Sequence, residues 1–491
     1  MKRFVGIFLA VLIPCLFLIS GCSKSPEEKR DAYLNSARSY MEKDKYAEAA
    51  IEFQNALQIA PDDAQTLVTL GEVQLKLMKA NEAYRSFSRA AAIDPENTAA
   101  HEYLTSIQLL ARKYDLAEKQ ASTILEYEPG NRKAQEMLAQ ALFQNGKKAE
   151  ATAIMDELIA DQKPLEATII NAVQMYMATD RTKDALSLIS RGSSLYPDSS
   201  KIRFLASDIY VFKDDIGSAR TWAEDAYRAE QDNIDAGIAL ARFYAAHRMD
   251  DLFKTLMTEL KSKFPDDPGP YLLESGVMQQ KGDLDGALAL AQTARKIKDT
   301  TTTKTVIAQL LLEKEDLPAA EKILVEALEQ DPGAISARIL LARIYLRQEQ
   351  PGKTLDTLDA LIKNTPRRPD VAVPTAQAYI MEGKASQARE LVEKSLQEYQ
   401  NNAALHGIMA KIEFMEGKYK EALHQVNILA EHAAATPDTL YIGALSAMRT
   451  GEAALASSFV DSLEKASPES WQTLHARSLL ALSSGEKKSA Y

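Results

Sequence analysis

One spacing constrains this chain more than any other feature. The stretch YAEAAIEFQNALQIAPDDAQTLVTLG (46–71) is followed, 34 residues on, by ANEAYRSFSRAAAIDPENTAAHEYLT (80–105). Alanine, an apolar residue four later and proline eight after that fall in step in both. A period in this range means that each unit is one supersecondary element. Such an element cannot bury its apolar face alone and must stack on its neighbours. The register places unit starts at 30, 64, 98, 132, 166, 200, 234 and 268. One residue is then lost, and starts follow at 301, 335, 369, 403, 437 and 471. Length alone would suggest about three globular domains for 491 residues. The period replaces that expectation with a single array.

Positions are counted here from each unit start. Position 20 is Ala in most units, from Ala49 to Ala456, with Phe253 and Thr354 as exceptions among the complete ones. Position 8 is small nearly throughout, as in Ala37, Gly71, Ala139, Ala241, Ala308 and Ala410. Position 24 is apolar in all thirteen complete units, for example Phe53, Phe87, Met155, Leu324 and Val426. Apolar spacings of three and four predict two amphipathic helices per unit, and small residues at positions 8 and 20 let them cross closely. Breaks such as Gly146-Lys147, Gly282-Asp283, Gly383-Lys384 and Gly417-Lys418 separate the helices. Proline at position 32, as at Pro61, Pro95, Pro129 and Pro197, stops the second helix. It lacks an N–H and disfavours helix in the residue before it.

In length, order and residue type these units resemble the tetratricopeptide repeat (TPR) family. The resemblance covers residues 30–491, with repeats 1–7 in 30–267, repeats 8–13 from 268, and an incomplete fourteenth beginning at Trp471. It implies an all-α, right-handed superhelical solenoid of thirteen full repeats and a partial one. The segment 265–303, with PDDPGPYLLESG at one end, KDTTTTK at the other and the one-residue slip, is expected to be a soft joint. The last unit has too few residues for a second helix over Leu474, Leu479, Leu480 and Leu482.

The resemblance also implies a binding groove, since positions 2, 5, 9 and 12 of the first helix line the concave face in TPR proteins. At positions 5 and 12 this gives Leu34, Met41, Val68, Leu75, Phe143, Ile170, Met177, Phe204, Val211, Ile339, Leu346, Val373, Ile380 and Phe414. Position 9 between them is mostly polar, as in Arg38, Glu72, Gln140, Gln174, Arg343, Gln377 and Lys411. Two apolar stripes flanking a polar one would suit an extended peptide or an amphipathic helix. The pattern departs from the carboxylate clamp of chaperone-tail-binding TPR domains, which uses Lys and Asn here, because position 9 has no Asn. The other reading of the stripes is packing between neighbouring first helices. An apolar run of this length is otherwise a liability on a surface.

The N-terminus gives an address. Lys2 and Arg3 precede the apolar run from Phe4 to Ser20, and Ile19-Ser20-Gly21-Cys22 follows the pattern of small residues before a cleavage site. This tetrapeptide resembles the bacterial lipobox. That implies a signal peptide at 1–21, a lipidated Cys22 as the first mature residue and a short linker to residue 29. The run is short for the ~20 apolar residues that span a bilayer, and Pro14 interrupts it. Several acyl chains on one cysteine would anchor firmly, at about 0.8 kcal/mol per buried CH₂. By the same resemblance, Ser23 in place of Asp favours the periplasmic face of the outer membrane.

Composition narrows the function classes. The only other cysteine, Cys15, would leave with the signal peptide, so no disulfide is expected. The net charge of -11 and the lack of a basic run argue against nucleic acid. The six histidines, His101, His247, His406, His424, His432 and His475, form no HExxH, and no phosphate-binding glycine loop occurs, so neither an enzyme nor a metal nor a cofactor is expected. The expectation is a lipid-anchored periplasmic scaffold for protein partners in envelope assembly or export. In layout the chain looks similar to the long TPR lipoproteins of PEP-CTERM sorting and exopolysaccharide systems. Two rival roles are a pilotin-like escort of an outer-membrane secretin and direct polysaccharide binding.

Overall fold

The computed structural model describes residues 25–483, so Cys22 lies outside the described residues. Among the described residues there are helices and connecting turns and no strands. The helices form thirteen antiparallel pairs, from Pro26–Met41 with Tyr46–Ile59 to Pro437–Thr450 with Ala453–Ala466. A single last helix, Trp471–Ser483, follows. The chain divides into two compact units, Met1–Ala236 and Gly237–Tyr491. Within each, a helix packs on its sequence neighbours, and first helices also touch the first helices of adjacent repeats.

The repeat register is written into the backbone. Thirteen residues take positive φ at position 15, beginning Asp44, Met78, Arg112 and Gly146 and ending at Gly451. The next N–H, at position 16, bonds back to the carbonyl at position 11. Examples are Lys79 to Gln74 (2.8 Å), Lys147 to Leu142 (2.9 Å) and Lys384 to Tyr379 (2.8 Å). This left-handed turn with a back-reaching N–H satisfies carbonyls that the helix end leaves open. The interval shrinks by one residue between Gly282 and Glu315, as the sequence spacing requires. The missing residue comes from the link between Leu284–Ile297 and Thr301–Glu313.

Position 34 caps many first helices. The side chains there of Asp63, Asn97, Asn131, Ser199, Asn402 and Thr436, and of Thr300 at position 33 of the shortened unit, accept from the backbone N–H three residues on. The core follows the small and apolar positions. Ala37, Ala139, Ala241 and Ala410 at position 8 are fully buried, as are Ala49, Ala151, Ala320 and Ala422 at position 20 and Phe87, Met155, Leu324 and Val426 at position 24. Gly71 is required at its crossing, because an added Cβ would stand 2.5 Å from the Phe87 ring. Thr354, an exception at position 20, donates its hydroxyl to the carbonyl of Ala342 at 3.3 Å. Ser275 at position 8 likewise bonds the carbonyl of Ala287 at 2.7 Å. These two buried hydroxyls offset the cost of burial with a backbone partner, whereas that of Ser207, also at position 8, has none among the described residues.

The helix Gly269–Gln280, inside the segment expected to be soft, buries only Pro270 and Ser275. Its Leu272, Leu273, Val277 and Met278 stay half-buried. Its packing against Asp250–Lys263 is the thinnest among the described neighbouring helices within the units.

Candidate functional site

Positions 5, 9 and 12 lie one and two turns apart, so on a helix they share one face. In the second unit this face opens into a cavity of about 660 Å³. Ile339, Leu346 and Val373 line it, as the stripe predicts, together with Pro374 and Leu312. Polar position 9 supplies Arg343, Gln377 and Lys411. In the first unit a smaller cavity, about 390 Å³, is lined by Leu109, Phe143 and Tyr114 with the amides of Gln140, Asn171 and Gln174.

The remaining predicted groove residues divide by burial. Val68 and Ile380 are 2 % and 8 % exposed and offer no surface. Val68 belongs to the core cluster of Phe53 and Phe87, and Ile380 to that of Val392 and Ile408. Leu34, Met41 and Leu75 pack half-buried against the first of these clusters. Ile170 and Met177 do the same in the cluster around Ile169 and Tyr176. Phe204 and Val211 are half-buried. Phe414, also half-buried, makes an edge contact with Tyr419 at 5.6 Å between ring centroids.

The second-unit cavity holds residues that the stripes do not name. Arg347 and Met381 both sit at position 13, one residue past the mapped stripe, and Pro374 is at position 6. Pro374 lies inside the helix Pro369–Met381. It donates no N–H there and presents its ring to the cavity.

Charge in this cavity is one-sided. Arg343, Arg347 and Lys411 are exposed, and none is ion-paired among the described residues. The one carboxylate on the lining, Asp370, is already held by Arg368 at 3.1 and 2.6 Å.

Two of the histidines act as structural links. His101 and His406, both at position 4, each place Nε2 against the backbone carbonyl of the preceding position 32, Pro95 at 3.0 Å and Gln400 at 2.7 Å. The other ring nitrogen of each meets a Gln at position 23, Gln120 and Gln425. Among the described residues no group of three or more His, Cys, Asp or Glu is placed to hold a metal ion.

Family models described as "tetratricopeptide repeat" match residues 31–63, 108–167 and 311–378, in register with the helix pairs above. The chain is a tetratricopeptide-repeat protein. Among curated proteins, this TPR chain is similar to the cellulose synthase operon protein C of Pseudomonas fluorescens (strain SBW25), with 29% identity over 181 residues. The match covers 35% of this chain and only 14% of that protein's length. Among solved structures, the TPR chain is similar to yeast Tom70, at TM-score 0.43 and 13% identity over 94% of this chain and 100% of that one. It is also similar to the Cut9–Hcn1 hetero-tetramer of the APC/C, at TM-score 0.42 and 12% identity over 96% and 92% of the two chains.

Proposed function

We propose that this TPR protein is a lipid-anchored periplasmic scaffold that holds protein partners in the groove of its first helices. Its setting would be envelope assembly, with exopolysaccharide export as the preferred system or PEP-CTERM-type sorting as the alternative one. The observation that carries the groove assignment is the cavity of about 660 Å³, where Ile339, Leu346 and Val373 meet in open space. A cavity of this size with an apolar floor and a few polar groups suits recognition better than packing. Support for the export setting is the similarity to a protein named for a cellulose synthase operon. Support for the anchor is the sequence Ile19-Ser20-Gly21-Cys22. No helix among the described residues is long and apolar enough to cross a membrane. The proposed mode of action is non-covalent, with apolar segments of the partner buried in the groove.

Site-specific photo-crosslinking in native membranes tests this reading. The probes go at Ile339 and Leu346, which line the cavity, with Glu329 on an exposed face of a second helix as control. A discrete adduct at the two groove positions and none at Glu329 is expected. Adducts at Glu329 alone would make the outer surface the working one.

A further inference from the structure

The second-unit cavity is cationic in an anionic chain. Net charge over the whole sequence is -11, yet Arg343, Arg347 and Lys411 converge on one lining with no ion-pair partner among the described residues. Asp370, the single carboxylate there, is neutralised by Arg368. Below these cations lies an apolar floor of Ile339, Leu346 and Pro374. The corresponding cavity of the first unit shows that this charge is not a property of the repeat. Its lining carries amides and no charged side chain.

From this geometry we infer that the second-unit groove takes an acidic segment of a partner protein, with bulky apolar side chains spaced between its carboxylates. The inference rests on the scaffold reading and adds the chemistry of the occupant. Complementary charge speeds encounter and rejects wrong partners, while the desolvated floor holds the apolar side chains. The floor is what selects a peptide over an anionic glycan. The lining carries no aromatic ring on which a sugar face could stack, and its uncharged polar groups are few. The arrangement also differs from a clamp on one terminal carboxylate. Its cations come from helices two repeats apart, so they can meet several carboxylates along a segment.

The test uses the full-length chain in detergent and fluorescence anisotropy. The probe is a labelled peptide, Glu-Leu-Glu-Pro-Leu-Asp-Glu-Leu. Comparators are the same peptide with Lys for each acidic residue, polyglutamate, and an alginate oligosaccharide. The acidic–apolar peptide is expected to bind, and to weaken as salt rises. Arg343→Gln with Lys411→Gln should weaken it by about tenfold, as loss of two charge pairs at a part-exposed site implies. Both residues are exposed, so these substitutions leave the core intact, and circular dichroism verifies that. Equal binding of the Lys peptide overturns the inference. Equal binding of polyglutamate or alginate also overturns it, making the site a receptor for any polyanion or for an anionic glycan. No peptide binding while groove crosslinks at Ile339 and Leu346 persist sinks the acidic occupant alone. Absence of those crosslinks sinks the scaffold reading itself.

Discussion

Position 15 of each repeat carries a left-handed residue, and only Gly146, Gly282, Gly383, Gly417 and Gly451 meet it with glycine. The other units place Asp, Met, Arg or Glu there, as at Asp44, Met78, Arg112 and Glu315. A side chain with Cβ costs roughly 1–2 kcal/mol in that conformation. Met78 has φ 60° and is 90 % exposed, so its side chain offers little packing in return. Met78→Gly should therefore raise the unfolding free energy read from urea titration, by roughly 0.5–1 kcal/mol once the looser unfolded chain is counted. Gly383→Ala, at φ 75°, should lower it by a similar amount. Four of the glycines, Gly146, Gly282, Gly383 and Gly417, made the break between helices legible in sequence. The other positions were not legible, because nothing local marks a Met or Glu as left-handed.

Glu413 gives a second test at this scale. It is 6 % exposed, its Oε2 has no hydrogen-bond partner, and the nearest cation, Arg389, is 3.8 Å away. Burial holds its carboxyl above the ordinary glutamate range, against the opposing pull of Arg389. A raised carboxyl is neutral in both folded and unfolded chains at low pH. It destabilises the fold as pH rises through the folded value, because the unfolded chain ionises first. Glu413→Gln should thus be more stable than the parent at pH 7, with the gap closing toward pH 4. A gap that widens toward acid would reverse the assignment.

At the scale of single elements, local stability should follow burial. The helix Gly269–Gln280 buries only Pro270 and Ser275, whereas Ile335–Arg347 buries Ala337, Leu340, Leu341, Ala342, Ile344 and Tyr345. Hydrogen exchange followed by mass spectrometry should show amides of 269–280 exchanging well before those of 335–347. Equal protection would mean that the thin packing has no energetic weight. The sequence flagged this element through its prolines and the nearby slip. It did not say where the lost residue falls, because the helices keep their length and a link gives it up. The helix Pro369–Met381 is the opposite case. Pro374 reads as a helix breaker, yet the helix runs through it, and the ring becomes part of the cavity floor.

At the scale of the whole molecule, the proposed lipid anchor at Cys22 can be tested directly. Cys22→Ser should move the chain from the membrane fraction to the soluble fraction of a cell lysate and abolish incorporation of labelled palmitate. Retention of the variant in membranes would assign the attachment to something other than acylation at Cys22. Much about the array was legible in advance. The period, the helix pairs, the single slip and the burial of positions 8, 20 and 24 all follow from helix geometry and local sterics, which act over a few residues and so are written in the order of residue types. Exposure along the groove was not legible. Val68 and Ile339 both occupy position 5 and are both branched aliphatics, yet one is enclosed and the other lines a cavity. The difference lies in the bulk of the neighbours that repeats on either side bring to each position. The sequence by itself determined the repeat and its core. Only the tertiary structure decided which apolar residues stay open and which cations gather over them, because burial and charge convergence depend on groups far apart in the chain.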